Sequence, residues 1–113
     1  MRHRAAEELL PAAKKKGLGV ITIKPFVRGA LLKNRDLKGV DAGLPRDLIA
    51  FVLENKLVDI CTCGVHTLDQ VRENLSASWT KLSPDRRERL KKVARTCITS
   101  HEYAWLEQGW RYA

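Results

Sequence analysis

The sequence predicts an α/β fold in which two parallel strands, with their covering helices, form part of a larger sheet. Three observations carry this expectation. Helical and strand-like segments follow one another as helix, strand, helix, strand, helix, helix, the alternation of βαβ units with right-handed crossovers. Both strand-like runs are largely apolar, as strands of a sheet buried on two faces are. A two-stranded parallel sheet does not stand alone, so further strands are expected to complete it.

The elements read in order as follows. Residues 5–16 have helical character, with Leu9, Leu10, Ala12 and Ala13 apolar and Lys14, Lys15 and Lys16 in the last turn, where cations suit the negative end of the helix dipole. Gly17 ends the helix, and Pro11 either kinks it or marks the first position of its straight part. Residues 19–25 (Gly-Val-Ile-Thr-Ile-Lys-Pro) form a β-branched run closed by a proline and read as a buried strand. Residues 26–43 contain Gly29, Gly39 and Gly43 among mixed charges and read mainly as a long loop. Pro45 opens a helix whose stripe is Leu48, Ile49, Val52 and Leu53, ending near Asn55. Residues 57–63 supply the second strand, stopped by Gly64.

Thr67 and Gln70 stand at capping-box spacing, so a helix is expected from there to about Ser78. Ser83 and Pro84 repeat the start signal for a last helix with Leu90, Val93, Ala94 and Cys97 on its buried face. Tyr103, Trp105, Trp110 and Tyr112 crowd the tail from His101 to Ala113, which suggests a docked tail.

A net charge of +8 permits an anionic partner without choosing among nucleotide phosphates, nucleic acid and an acidic protein. No run approaches the roughly 18 consecutive apolar residues of a membrane span, and the start, MRHRAAEELLPAAKKK, has no signal-peptide core, so a cytoplasmic location is expected. Three cysteines, two of them one residue apart, fit reduced thiols in a reducing compartment rather than a disulfide framework.

Two segments resemble the C-terminal part of the aldo/keto reductase family. Residues 16–31 (KGLGVITIKPFVRGAL) look like that family's seventh barrel strand and following loop, a glycine-valine-isoleucine strand followed by proline-leucine and glycine-leucine pairs. Residues 59–74 (DICTCGVHTLDQVREN) look like the eighth strand and cofactor helix, where a lysine or glycine precedes a helix asparagine by ten residues, the spacing of Gly64 and Asn74.

The resemblance covers residues 5–79 and implies the C-terminal fragment of a (β/α)8 TIM barrel, with about two βα units plus C-terminal helices. Residues 1–80 are then a partial barrel and residues 81–113 a helical extension packed on it. Full barrels of about 250 residues in this family reduce carbonyls with NADPH or NADH. The family's catalytic aspartate, tyrosine, lysine and histidine lie on earlier strands and have no counterparts here. The isolated chain is therefore expected to be inactive, and to self-associate or to pair with a complementary N-terminal barrel chain.

By the same resemblance, Lys24, Pro25 and Phe26 border the cofactor's pyrophosphate, and Gly64, Val65, Gln70 and Asn74 hold its adenosine end. The chain departs from the family at Lys24, often a serine, and at Ile23, often an aromatic that stacks on the nicotinamide. It also has Gln70 where many NADPH-preferring members carry a basic residue. Plainer readings stand beside these: Lys24 as a solvated strand-end lysine, and Thr67 with Gln70 as a helix cap. Cys61, Cys63, His66, Cys97 and His101 offer soft ligands for zinc, but the Cys-x-Cys spacing is not that of a structural zinc pair, and both thiols are expected buried in a barrel interior. Arg86, Arg87, Arg89, Lys91, Lys92 and Arg95 make the last helix basic, which supports the alternative of a non-enzymatic module binding nucleic acid or an acidic protein. No aromatic residues are interleaved with those charges.

Overall fold

The computed structural model describes residues 5–33 and 43–98. A π-helical turn, Ala5–Leu9, leads into α1 (Leu10–Lys15), followed by β1 (Ile21–Ile23), α2 (Ala30–Lys33), α3 (Leu44–Leu53), β2 (Ile60–Thr62), α4 (Leu68–Ser76), a 3-10 turn at Ala77–Trp79, and α5 (Pro84–Ile98). The fold is mixed α/β. β1 and β2 pair in parallel, with Ile21 opposite Ile60, Thr22 opposite Cys61 and Ile23 opposite Thr62. The expected parallel neighbours are therefore present. Their two threonines also bridge the strands: Thr22 Oγ1 donates to the Ile60 carbonyl at 3.2 Å and Thr62 Oγ1 to the Thr22 carbonyl at 3.3 Å.

The first helix ends as the sequence indicates. Gly17 adopts a left-handed φ of 72°, and the Gly17 and Leu18 amides donate to the Lys14 and Ala13 carbonyls, which closes a Schellman motif. Pro11 falls within the first two positions of α1, where the π-helical turn gives way to the α-helix. The helix buries none of its residues, however, and Leu9 is exposed, so its apolar positions are not a core stripe. Lys14 acts across the fold instead. It donates to Asp59 Oδ1 at 2.6 Å, while Asp59 Oδ2 accepts the Val20 amide at 2.7 Å, so one carboxylate joins α1, the start of β1 and the start of β2. Both contacts hold the Asp59 carboxyl below the usual carboxylate range, with the Lys14 hydrogen bond the larger cause.

The core lies on one face of the sheet. Leu31 from α2, Leu44, Leu48, Ile49 and Ala50 from α3, and Ala77, Leu82 and Leu90 pack together, with Cys61, Cys63, Phe26 and Phe51 partly buried against them. Leu48 and Ile49 are buried as their spacing predicts, whereas Val52 and Leu53 are only half-buried. Gly43 starts α3 with a φ of 97°, a region that side chains rarely adopt. Ser83 caps α5 by accepting the Arg86 amide at 3.2 Å.

Several expectations are corrected. β1 is not a buried strand: Ile21 and Ile23 are 62% and 65% exposed, and Ile60 beside them is 50% exposed. Period-two alternation puts these three on the face opposite the helices, which no described element covers. Cys61 and Cys63 face the helices rather than a barrel interior, and they are half-buried. Residues 26–43 are not simply a loop, since residues 25–29 form tight turns and Ala30–Lys33 is helical. The rest of that segment, residues 34–42, and the aromatic tail from His101 to Ala113 lie outside the described residues, as do the side chains of Val93 and Cys97.

Candidate functional site

The C-terminal ends of β1 and β2 open onto a cleft with two compartments. The larger, about 420 Å³, is lined by Ile23, Lys24, Pro25, Phe26, Arg28, Thr62, Cys63 and Gly64. The smaller, about 210 Å³, is lined by Phe26, Leu32, Pro45, Gly64, His66, Gln70, Glu73 and Asn74. Phe26 and Gly64 belong to both, so the two compartments adjoin. Six of the seven sequence-selected residues, Lys24, Pro25, Phe26, Gly64, Gln70 and Asn74, meet here. Val65 does not: it is 40% exposed and lines neither compartment.

The wall after β1 is built from strained backbone. Lys24, Val27 and Arg28 have left-handed φ values of 57°, 50° and 55°, followed by Gly29 at 86°. Each such non-glycine residue costs on the order of 1–3 kcal/mol, most plainly the β-branched Val27. Successive turn bonds hold this conformation, from the Val27 amide to the Lys24 carbonyl at 3.0 Å and from Gly29 to Phe26 at 2.9 Å. The tight reversal brings Lys24 and Arg28, four residues apart, to one compartment with Phe26 between them.

Gly64 forms the shared wall without a left-handed φ, so its value lies in space. A Cβ built on it meets no protein atom within 4 Å. Since Gly64 lines both compartments, a side chain there would enter the cleft rather than the core.

On the other wall, the capping box of α4 is complete. Thr67 Oγ1 accepts the Gln70 amide at 3.3 Å, and Gln70 Oε1 accepts the amides of His66 at 2.7 Å and Thr67 at 3.3 Å. Gln70 is thus both the helix cap and a cleft residue. Asp69 sits in the first turn, bound by Arg72 at 3.1 Å, and places negative charge where the helix dipole favours it. Asn74 Nδ2 donates to Cys63 Sγ at 3.2 Å, tying α4 to the end of β2. Burial, and then the neighbouring Cys61, push the Cys63 thiol above its ordinary pKa, so it stays protonated at neutral pH.

No group of three or more His, Cys, Asp or Glu is placed to hold a metal ion among the described residues. Cys97 and His101 of the zinc reading fall outside what is described for side chains.

Two of the six basic side chains of α5, Arg86 and Arg87, reach back to α3 and its C-terminal end. Asp47, buried at the start of α3, accepts Arg86 Nε at 2.8 Å and Nη2 at 2.7 Å, and Arg46 Nε at 2.8 Å. Arg87 forms a two-pronged pair with Glu54, at 2.7 and 2.9 Å. That bond is the main reason the Glu54 carboxyl titrates below the usual range. Lys91 pairs with Glu88 at 2.6 Å. Arg86, Arg87 and Lys91 thus neutralise carboxylates of this chain, while Arg89, Lys92 and Arg95 are exposed.

Sequence reasoning missed Arg28, His66 and Glu73 as cleft residues. Gln70, Glu73 and Asn74 follow i, i+3, i+4 spacing, the mark of one helix face, which would have revealed Glu73. Arg28 reaches the cleft only through the strained turn and has no periodic signature. No family model, curated protein or solved structure matches the chain.

Proposed function

We propose that the chain is the cofactor-side, C-terminal part of an aldo/keto reductase-like (β/α)8 barrel, and that its cleft takes a nicotinamide dinucleotide, NADPH or NADH. One observation supports this most: two parallel strands end at a single bipartite cleft assembled from the loop after β1 and the start of α4. Barrel enzymes bind their ligands at that end of the strands.

The residues present fit such a group. Lys24 and Arg28 give the larger compartment the positive charge a pyrophosphate requires, and Gly64 leaves room for it. Phe26 offers a ring at the junction, and Gln70 and Asn74 add amides to the smaller compartment. A bound nicotinamide supplies a hydride to a carbonyl carbon, and the developing alkoxide then needs a proton donor. This chain carries no counterpart of the family's catalytic tyrosine and lysine, so its role is to bind and orient. NADPH oxidation over a panel of aldehydes and ketones should stay at background.

The open face of Ile21, Ile23 and Ile60 calls for a cover, either a complementary N-terminal barrel chain or a second copy. No helix among the described residues is long and apolar enough to cross a membrane, and we assign the chain to the cytoplasm. The alternative, a basic module binding nucleic acid or an acidic protein, is weakened because Arg86 and Arg87 are committed to Asp47 and Glu54.

Titrating the full chain with NAD+ and NADP+ while following backbone amide resonances tests the proposal. Saturable shifts confined to Lys24–Arg28 and Gly64–Asn74 are expected. Shifts confined to α5, together with salt-sensitive retention on DNA, would favour the alternative.

A further inference from the structure

We infer that the outward face of α4 is a self-complementary surface on which a second copy of this chain docks in antiparallel register. Leu68, Arg72, Leu75 and Trp79 recur at helical spacing, so they form one stripe along α4 and the 3-10 turn after it. Its apolar members are open to solvent, with Leu68 63%, Leu75 58% and Trp79 73% exposed. The stripe lies opposite the side by which α4 meets the rest of the fold, where Asn74 bonds Cys63 and Ala77 is buried. Further strands would extend the sheet beneath α4 and leave this face uncovered, so it is distinct from the open face of Ile21, Ile23 and Ile60 and from the cleft.

An exposed apolar stripe that includes a tryptophan and an arginine has the composition of an interface centre. Charge decides what covers it. The chain carries +8, but residues 68–81 balance, with Asp69 and Glu73 against Arg72 and Lys81, so a polyanion or a strongly acidic protein gains little here. The signs are also ordered along the stripe. Asp69, 91% exposed, stands beside Leu68 at one end. At the other, Thr80 is extended, and alternation puts exposed Lys81 on the side of Trp79 while Leu82 is buried. A two-fold axis passing between Arg72 and Leu75 sets Leu68 against the partner's Trp79, Arg72 against the partner's Leu75 and Asp69 toward the partner's Lys81, the isologous contact of a C2 dimer. Arg72 covers the leucine with its aliphatic stem while its own Asp69 holds the guanidinium at 3.1 Å. Parallel pairing would instead set acid against acid and base against base.

Sedimentation velocity of the full chain carrying Ile23→Lys, which removes association through the sheet face, tests this surface. A reversible dimer with a dissociation constant on the order of 10 μM is expected, the weak end for protein interfaces. Trp79→Ala should weaken it at least about 30-fold, the effect of losing an interface hot spot, while the melting temperature stays unchanged because the ring lies outside the core. Asp69→Lys and Lys81→Glu should each self-associate about tenfold more weakly, and should regain the parent affinity when mixed, since the mixture restores both opposite-charge contacts. A chain that stays monomeric at millimolar concentration would overturn the inference and assign any association to the sheet face. A dimer indifferent to Trp79→Ala would overturn it as well, as would a mixture of the two charge variants that associates no better than either alone.

Discussion

Replacing Arg86 by Gln separates an internal role for α5 from a nucleic-acid role. The Asp47 side chain is 6% exposed and that of Arg86 18%, so the pair is largely withdrawn from water. Breaking a buried pair from one side costs about 3–5 kcal/mol, because the remaining charge loses its partner. The low end, about 3 kcal/mol, applies here, since Arg46 still donates to Asp47 from a more exposed position. A domain of this size has a total stability on the order of 5–15 kcal/mol, so the loss is a large share of it. The melting temperature should fall by roughly 10 °C or more, with a matching fall in the urea midpoint. Arg87→Gln, which breaks a half-exposed pair with Glu54, should cost only about 1 kcal/mol. Arg89→Gln, at an exposed position, should leave stability unchanged within about 0.5 kcal/mol. A nucleic-acid helix would behave differently, with each substitution weakening DNA retention and lowering the salt slope by about one unit while stability held. If Arg86→Gln melts with the unaltered protein, or if Arg89→Gln is as destabilising, the reasoning is refuted.

Acid should weaken the fold through Glu54, Asp59 and Glu88, whose carboxyls all titrate below their usual range in the folded chain, chiefly through hydrogen bonds from Arg87, Lys14 and Lys91 respectively. A depressed folded pKa gives stability that is present above the unfolded value and is lost as pH falls through the folded one. The urea midpoint should therefore be flat near neutrality and decline below about pH 4.5, and Arg87→Gln should make that decline shallower. A midpoint that rises on acidification would contradict the assignment. On the sheet face, Ile23→Lys should shift sedimentation toward the monomer without lowering the melting temperature, since the side chain is already 65% exposed. An unchanged sedimentation profile would place any self-association elsewhere.

The sequence determined by itself what local chemistry fixes. The Thr67–Gln70 box, the Ser83 cap, the stop at Gly17 and the buried Leu48 and Ile49 each depend on residues within one or two turns, so their signals survive without knowledge of the fold. The order of two β-branched runs separated by a helix was likewise enough to anticipate parallel pairing of β1 with β2. Only the tertiary structure decided which strand face is covered, because period-two alternation distinguishes two faces without saying which one meets the helices. Ile21, Ile23 and Ile60 proved to be the open face, and Cys61 and Cys63 the covered one. It alone also decided the fate of the charges. Arg86 meets Asp47 across 39 residues of sequence, and Lys14 meets Asp59 across 45. The composition that suggests a basic binding helix therefore contains ion pairs that no local pattern records. Cleft residues divide in the same way. Glu73 shares a helix face with Gln70 and Asn74 and was legible in principle, whereas Arg28 arrives through a turn held at φ values its own side chain disfavours. Such a conformation persists only where the surrounding packing and turn hydrogen bonds hold it, which is information that resides in the assembled fold.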